Sequence, residues 1–296
     1  MTKKLLITGV NGFIGSNCKK HFENTGYEVF GIDIAGEAKG NTLIGEVDIK
    51  NIKTFNQSFD YIFHFAGSST VSMAQKAPDI EKIKAVGSTK EILEYIKNYN
   101  KDAKLIFSSS AAVYGNDYKR PIKEDDKLNP ISIYGFHKLE SENLCEYYSK
   151  NYGLDIKIVR IFSLYGTGLK KQLLWDFINR AIKAENVLGC FGTGDEKRDF
   201  VNIRDLINFL EILIKKEKKL EYYNCASGEG VTVREIMQTI LEELQIDLRL
   251  EFDNIKREGN PEILIADIQK AKDAGFTPGV RIKDGIKEYV RWFKNN

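Results

Sequence analysis

The stretch Thr8-Gly9-Val10-Asn11-Gly12-Phe13-Ile14-Gly15 directly follows the apolar run Leu5-Leu6-Ile7 and opens a segment whose helical face is marked by Ile14, Cys18 and Phe22. Glycines at 9, 12 and 15 let the chain turn sharply out of a strand, bring backbone amides against a pyrophosphate, and pack the next helix close to a sheet. The helix N-terminus adds partial positive charge toward that anion. Gly9, Asn11, Gly12, Phe13, Ile14 and Gly15 are therefore expected to hold a dinucleotide. Asp33 ends the next strand, 33 − 15 = 18 positions beyond the last glycine, where an acidic residue accepts hydrogen bonds from the adenosine ribose. The same carboxylate would repel a 2′-phosphate, which favours NAD over NADP; Lys39 is the nearest cation that argues the other way. Asp48 and Ile49 are candidates for the adenine, with a plain surface aspartate as the competing reading.

Outward from this stretch, short apolar runs alternate with helical periodicity. The expected strands are Lys4–Thr8, Glu28–Asp33, Tyr61–Phe65, Leu105–Ser108, Ile156–Arg160 and Tyr222–Cys225. Several are apolar at consecutive positions, as strands covered on both faces are. The pattern predicts an α/β fold with a Rossmann-type doubly wound parallel sheet. After Gly166 the alternation becomes irregular, with helices expected over Leu173–Lys183, Arg204–Lys215, Val233–Leu244 and Lys283–Phe293. Residues 1–165 are expected to form the dinucleotide domain, with about 199–225 returning to it, and 166–296 mainly a smaller, irregular α/β lobe for substrate. With five prolines and no Ser/Pro-rich tract, no linker separates the two.

Composition narrows the partners. The chain of 296 residues has 44 Lys+Arg against 42 Asp+Glu, a net +2, which gives no electrostatic case for nucleic acid or an anionic membrane. No run approaches the roughly 20 apolar residues of a membrane span, and Leu5-Leu6-Ile7 is too short for a signal peptide core. Cys18, Cys145, Cys190 and Cys225 show no metal or redox spacing, so no metal site is expected and a cytoplasmic protein with reduced, buried thiols is. The run from Lys215 to Lys219 reads as a solvated helix end.

The chemistry is expected around Ser108-Ser109-Ser110, at the end of a strand, and Tyr134-Gly135-Phe136-His137-Lys138, on the next helix. Positions 134 and 138 are one turn apart, so phenol and ammonium share a face. With the glycine motif, His64-Phe65-Ala66-Gly67, Ser108 through Gly115, Arg160 with Tyr165-Gly166, Arg198-Asp199-Phe200-Val201, Asp205 and Arg257-Glu258-Gly259-Asn260, the chain resembles the extended short-chain dehydrogenase/reductases over nearly its whole length. The likeness is to their NAD-dependent epimerase/dehydratase branch, which acts on nucleotide sugars. The resemblance implies Tyr134 as acid/base, Lys138 as the residue that binds the nicotinamide ribose and lowers the tyrosine pKa, and Ser110 as the hydroxyl that holds or relays the substrate proton. It adds Phe65, Ala66, Gly67 and Ser108, with Tyr134 and Lys138, to the NAD contacts. Ser110, Ser163, Arg198 and Arg257 are the implied contacts to a nucleotide-diphosphate sugar. Making a phenol a base at neutral pH needs about 3 units, or roughly 4 kcal/mol; one ammonium at about 4 Å and an effective dielectric near 20 contributes about 4 kcal/mol, barely enough because burial pushes the phenol the other way, and the positive nicotinamide of the oxidised cofactor is expected to supply the remainder. His64 and His137 read as core histidines bonded to backbone, and Asn224 as a turn-stabilising residue.

Three departures bear on the chemistry. Ala111-Ala112 stand where 4,6-dehydratases carry an Asp-Glu pair, which removes the acid and base of elimination. Ser163 stands where many relatives use Asn, and Ala85 replaces another Asn common in the family. The expectation is an NAD-dependent 4-epimerase of a nucleotide sugar. The alternatives are an NAD(P)H-dependent 4-ketoreductase using the same residues and, more remotely, a non-catalytic dinucleotide sensor. Family habit also implies a homodimer through helices near Asp79–Tyr99 and Tyr134–Asn151, and a role in polysaccharide or sugar-nucleotide biosynthesis.

Overall fold

The computed structural model describes residues 2–67, 77–217, 219–255 and 261–296. In chain order its elements run β1 (Lys4–Thr8), α1 (Phe13–Asn24), β2 (Glu28–Asp33), β3 (Thr42–Ile44), α2 (Ile49–Lys53) and β4 (Tyr61–His64). Next come α3 (Pro78–Lys82), a π-helical turn (Ile83–Gly87), α4 (Ser88–Tyr99), β5 (Lys104–Ser110), a 3-10 turn (Ala111–Val113), α5 (Ile133–Tyr152), β6 (Asp155–Ile161) and β7 (Ser163–Tyr165). The remainder is α6 (Gln172–Ala181), β8 (Val187–Cys190), β9 (Lys197–Asn202), α7 (Ile203–Leu213), β10 (Leu220–Cys225), β11 (Gly230–Thr232), α8 (Val233–Leu244), β12 (Arg249–Phe252), β13 (Ile263–Leu264), α9 (Gln269–Asp273) and α10 (Ile282–Lys294).

The chain divides into two units: residues 1–115, 127–160 and 207–223 in the first, and 116–126, 161–206 and 224–296 in the second. The segment returning to the first unit is thus 207–223, shorter than the expected 199–225, and 116–126 joins the second.

The first unit is built on a seven-stranded sheet in the order β10-β6-β5-β4-β1-β2-β3, and the β1–β2, β1–β4, β2–β3 and β4–β5 pairs are all parallel. The strand order reverses between β1 and β4, and in such sheets the crevice outside the carboxyl ends at that point takes the ligand. Covering both faces explains the consecutive apolar positions. Leu6, Phe30, Ile62, Leu105 and Ile156 pack with Ile92, Leu93, Ile96 and Cys145 on one side. On the other, Phe22 of α1 meets Phe63 edge-on at 5.2 Å. All four cysteines are free and buried, and among the described residues no helix is long and apolar enough to cross a membrane.

The second unit carries a small sheet, β11-β9-β13 with β7 also on β9, beside the two-stranded β12-β8 pair. Asp199 of β9 ties it together, accepting from Ser227 N and Oγ (both 2.7 Å), Gly228 N (3.0 Å) and Ala266 N (3.2 Å). Burial raises this carboxyl to about 6 against those four bonds. Asn224 does more than support a local turn: its Nδ2 donates to Ile122 O and its amide to Glu124, both at 2.8 Å, so it fastens residues 116–126 to the end of β10.

Candidate active site

Each glycine of the β1–α1 loop answers to a different constraint. Gly9 has φ +69°, and a Cβ there would sit 3.0 Å from Ala66 N. A Cβ on Gly15 would lie 2.1 Å from Gly9 O and 2.7 Å from Val10 Cα, so only glycine lets the helix close on the loop. Gly12 has an ordinary extended conformation (φ −71°, ψ 171°) and its Cβ would meet only Gly9 O, at 3.2 Å. The fold scarcely demands glycine there; a bare backbone leaves room for an approaching group. Gly12 is also the N-cap of α1, which has no capping side chain and no acidic residue in its first turn. A helix start left open in this way favours an anion.

Asp33 stands beside this loop. Its Oδ2 accepts from Asn11 N at 2.8 Å, and Asn11 Nδ2 donates to Ala35 O at 2.7 Å, pinning the glycine loop to the chain after β2. A carboxylate has about four acceptor sites, so Asp33 keeps capacity for a ribose hydroxyl. Asp48 accepts from Asn51 N at 2.7 Å as the N-cap of α2, and Ile49 N donates to Glu91, which gives both a structural task. Phe65, Ala66 and Gly67 follow β4, with Ala66 N donating to Thr8 Oγ1 at 3.2 Å. An uncapped helix, a glycine cradle and a ribose acceptor together fit a dinucleotide without a 2′-phosphate.

Beside this cradle β5 delivers the serines, and α5 delivers the tyrosine and lysine. Ser132 caps α5 by accepting from Gly135 N at 3.1 Å. A Cβ on Gly135 would fall 2.5 Å from Ala112 O, so this glycine lets the first turn of α5 lie on the turn after Ser110. That contact brings Tyr134 to Ser110. The Ser110 oxygen accepts from Ala112 N at 3.2 Å, leaving its proton to donate to the Tyr134 oxygen, a bond that favours the phenolate. Lys138 is buried and its Nζ donates to Ser108 O at 2.8 Å.

The Lys138 Nζ lies 5.9 Å from the Tyr134 ring centre. Burial pushes Tyr134 up to about 12, with Ser110 opposing and the charge of Glu81 adding. Burial likewise pushes Lys138 down to about 8, and Glu81 and Glu142 resist. Unaided, the protein holds a neutral phenol beside a marginally stable ammonium.

Behind the serines is a buried network. Glu142 accepts from Ser109 Oγ at 2.5 Å and from Arg160 Nε and Nη2 at 3.0 and 2.7 Å, while Arg160 Nη1 donates to Tyr114 Oη at 2.9 Å. It locks the end of β5 to α5. The histidines differ from expectation in their partners: His64 bonds the hydroxyls of Thr8 (2.7 Å) and Thr89 (3.1 Å) rather than backbone, and burial drives it down to about 3. His137 pairs through Nδ1 with Glu81.

In the second unit, Ser163 on β7 is in register with Phe200 of the adjacent β9, two residues from Arg198. Arg198 donates through Nη1 to Lys197 O at 2.8 Å, and burial lowers its pKa. Arg257 lies outside the described residues. Phe191, after β8, is 68% exposed, with the Arg180 guanidinium 5.5 Å from its ring centre. Among the described residues no cluster of metal-ligating side chains forms.

A dinucleotide cradle next to a Ser/Tyr/Lys constellation at the carboxyl ends of a doubly wound sheet defines a nicotinamide-dependent enzyme acting on a hydroxyl or carbonyl. Residues 5–226 match the NAD dependent epimerase/dehydratase family, and the chain belongs to that family. It is 28% identical over 305 residues to a putative UDP-glucose 4-epimerase of Methanocaldococcus jannaschii, covering 99% of each chain. Among solved structures it is similar to UDP-glucose 4-epimerase of Thermotoga maritima with UDP-glucose (TM-score 0.89, 27% identity, 99% of each chain). It is likewise similar to UDP-glucuronic acid 4-epimerase of Bacillus cereus with UDP-glucuronic acid and NAD (TM-score 0.87, 26% identity, 99% of each chain).

Proposed function

We propose that this chain is an NAD-dependent 4-epimerase of a UDP-sugar. The observation that carries the reading is the Tyr134–Ser110 hydrogen bond beside an open dinucleotide cradle, in a chain whose relatives named above are 4-epimerases. Those relatives are named as 4-epimerases, which favours this reading over ketoreduction, and a sensor would have no need of the Ser/Tyr/Lys set.

NAD would be held by the amides after Gly9, by Asp33 at the adenosine ribose and by Lys138 at the other ribose, with Phe65, Ala66, Gly67 and Ser108 along its path; bound there, it supplies a reversible hydride acceptor. Ser110 would hold the C4 hydroxyl of the sugar, and Tyr134 would take its proton while the bound NAD would provide the acceptor for the C4 hydride; with that hydride returned to the other face of C4, Tyr134 would give the proton back to the C4 oxygen. Burial raises the phenol, and positive charge from Lys138 and the oxidised cofactor would favour its ionised form. Arg198 and Arg257 suit the diphosphate through their paired donors, Ser163 suits the sugar, and Phe191 suits stacking on the base.

A second copy of the chain is the partner we assign to the outer faces of α3, α4 and α5. Ile83 is 72% exposed there, and Ile80, Tyr99, Phe136 and Tyr147 are more than half exposed, more apolar surface than scattered residues account for. Four free buried thiols suit the reducing cytoplasm. The function is tested by incubating the purified protein with UDP-glucose, UDP-galactose, UDP-glucuronic acid and UDP-N-acetylglucosamine without reductant. Interconversion of C4 epimers is expected; consumption of NADH by 4-keto sugars alone would replace this reading with ketoreduction.

A further inference from the structure

Thr8 ends β1 and His64 ends β4, paired in register, and the strip Phe65–Gly67 that follows β4 hangs on Thr8. The Thr8 carbonyl accepts from Phe65 N and its hydroxyl oxygen from Ala66 N, both at 3.2 Å. The strip is also wedged between two backbones. On one side a Cβ on Gly9 would lie 3.0 Å from Ala66 N; on the other a Cβ on Gly67 would meet Ala85 of the π-helical turn at 3.5 Å.

Behind Thr8 runs a chain of buried hydrogen bonds whose direction its members decide. Thr8, His64 and Thr89 are each at most 1% exposed. Thr8 Oγ1 lies 2.7 Å from His64 Nδ1, while Thr89 Oγ1 and Ser88 Oγ lie 3.1 and 3.4 Å from His64 Nε2. A hydroxyl has one proton to give. Thr89 gives its own to Ala85 O at 2.7 Å and Ser88 to Lys84 O at 2.5 Å, so neither can donate to the ring, and the proton between them and His64 must sit on Nε2. Burial drives His64 down to about 3, and the charge of Lys138 on α5 acts in the same direction. The ring is therefore neutral with a single proton, and Nδ1 is a bare acceptor for the Thr8 hydroxyl. The other tautomer would leave Nε2 facing two oxygens whose protons are spent elsewhere. The Phe107 ring, stacked 5.9 Å away at 30°, holds the imidazole plane. The chain thus runs from Ala66 N to Thr8, from Thr8 to His64, from His64 to Thr89 and from Thr89 to the Ala85 carbonyl, and Ala85 is the residue against which Gly67 lies.

We propose that His64, locked as the Nε2–H tautomer, is a positioning residue for the cofactor: through the Thr8 hydroxyl it fixes the Phe65–Gly67 strip against Gly9, so that the dinucleotide meets a preformed wall. With its proton committed to Nδ1, the Thr8 oxygen keeps its lone pairs for Ala66 N. The inference rests on residues 65–67 lining the NAD path in the function proposed above.

The tautomer is read by nitrogen NMR of the full-length, NAD-loaded protein labelled with 15N-histidine. The chain has three histidines, and His64 is assigned by the signals lost in His64→Asn. A protonated Nε2 and a bare Nδ1 are expected, unchanged across about pH 5 to 8, where an ordinary imidazole titrates. A proton on Nδ1, or titration in that range, overturns the proposal. The effect on the cofactor is read by NAD calorimetry after cofactor removal. Thr8→Val, which takes the hydroxyl from both Ala66 and His64, is expected to weaken NAD binding about five- to tenfold, as loss of one hydrogen bond does. Thr8→Ser, which keeps the hydroxyl, should restore it. Should Thr8→Val not fold, His64→Leu leaves the Thr8 proton without its acceptor and is expected to weaken NAD in the same way, and His64→Asn, whose amide oxygen can take that proton, to recover it. Wild-type NAD affinity in Thr8→Val, or in His64→Leu in its place, overturns the proposal. Failure of the cradle reading looks different: Gly12→Ala would then also bind NAD like the wild type, whereas failure of this inference alone leaves Gly12→Ala impaired.

Discussion

Two alanine substitutions a turn apart in the β1–α1 loop separate what the fold needs from what the cofactor needs. In Gly15→Ala the new methyl would lie 2.1 Å from Gly9 O and 2.7 Å from Val10 Cα. Reaching ordinary contact near 3.4 Å means moving α1 away from the loop by about 1.3 Å, and overpacking of that kind costs about 1–3 kcal/mol. In Gly12→Ala the methyl meets only Gly9 O, at 3.2 Å, in a backbone conformation open to any residue, so the change in folding stability should stay within about 1 kcal/mol. The methyl nevertheless occupies the space in front of the open helix start, and a clash there worth about 1.4 kcal/mol costs tenfold in affinity. Thermal unfolding and NAD titration by calorimetry, run on the wild type and both variants after cofactor removal, read the two effects apart. Gly15→Ala should melt lower and bind weakly; Gly12→Ala should melt like the wild type without NAD and bind at least tenfold more weakly. Wild-type NAD affinity in Gly12→Ala would refute the claim that this loop cradles the pyrophosphate.

Three further outcomes follow from the site. Lys138 has a folded-state pKa near 8 against an ordinary value of 10.5, so the unfolded chain binds more protons between those pH values and stability rises with pH across that window. Lys138→Met should flatten that rise and be more stable at neutral pH, by at most about 3 kcal/mol; denaturant unfolding at several pH values checks it, and a rise retained by the variant would contradict the burial argument. Glu142→Gln leaves the buried Arg160 without its charge partner and should destabilise the protein by about 3–5 kcal/mol, read by chemical denaturation; a loss below about 1 kcal/mol would mean that the network does not lock β5 to α5. Ile83→Glu together with Phe136→Glu should convert a dimer into a folded monomer by analytical ultracentrifugation, and an unchanged sedimentation coefficient would place any dimer interface elsewhere.

The sheet and the cradle were legible because their signals are local. Apolar runs of four to six residues marked six of the seven strands of the first sheet to within a few residues, the three-residue edge strand β3 being too short to show, and Tyr134 and Lys138 were visible as a pair one helical turn apart. The second unit was harder. Its strands β7, β8, β11, β12 and β13 have two to four residues, too short to show a period, and Asn224 takes its meaning from Ile122 and Glu124, a hundred positions away. The electrostatics were hidden for the same reason. Spacing puts Lys138 on the face of Tyr134, but only the fold shows its ammonium bonded to the Ser108 carbonyl and Glu81 meeting His137 from another helix. Gly135 did carry a signal: a glycine in the first turn of a helix, where it weakens the helix, marks a close approach.

The central claim is that Tyr134 exchanges a proton with a sugar hydroxyl while hydride leaves and returns to the same carbon. Incubating the NAD-loaded protein with a UDP-hexose deuterated at C4, in ordinary water and without reductant, tests it directly by NMR of the product. The account predicts the C4 epimer with deuterium kept at C4, and no turnover in Tyr134→Phe. Replacement of the label by solvent hydrogen, or epimerisation undiminished in Tyr134→Phe, would contradict it.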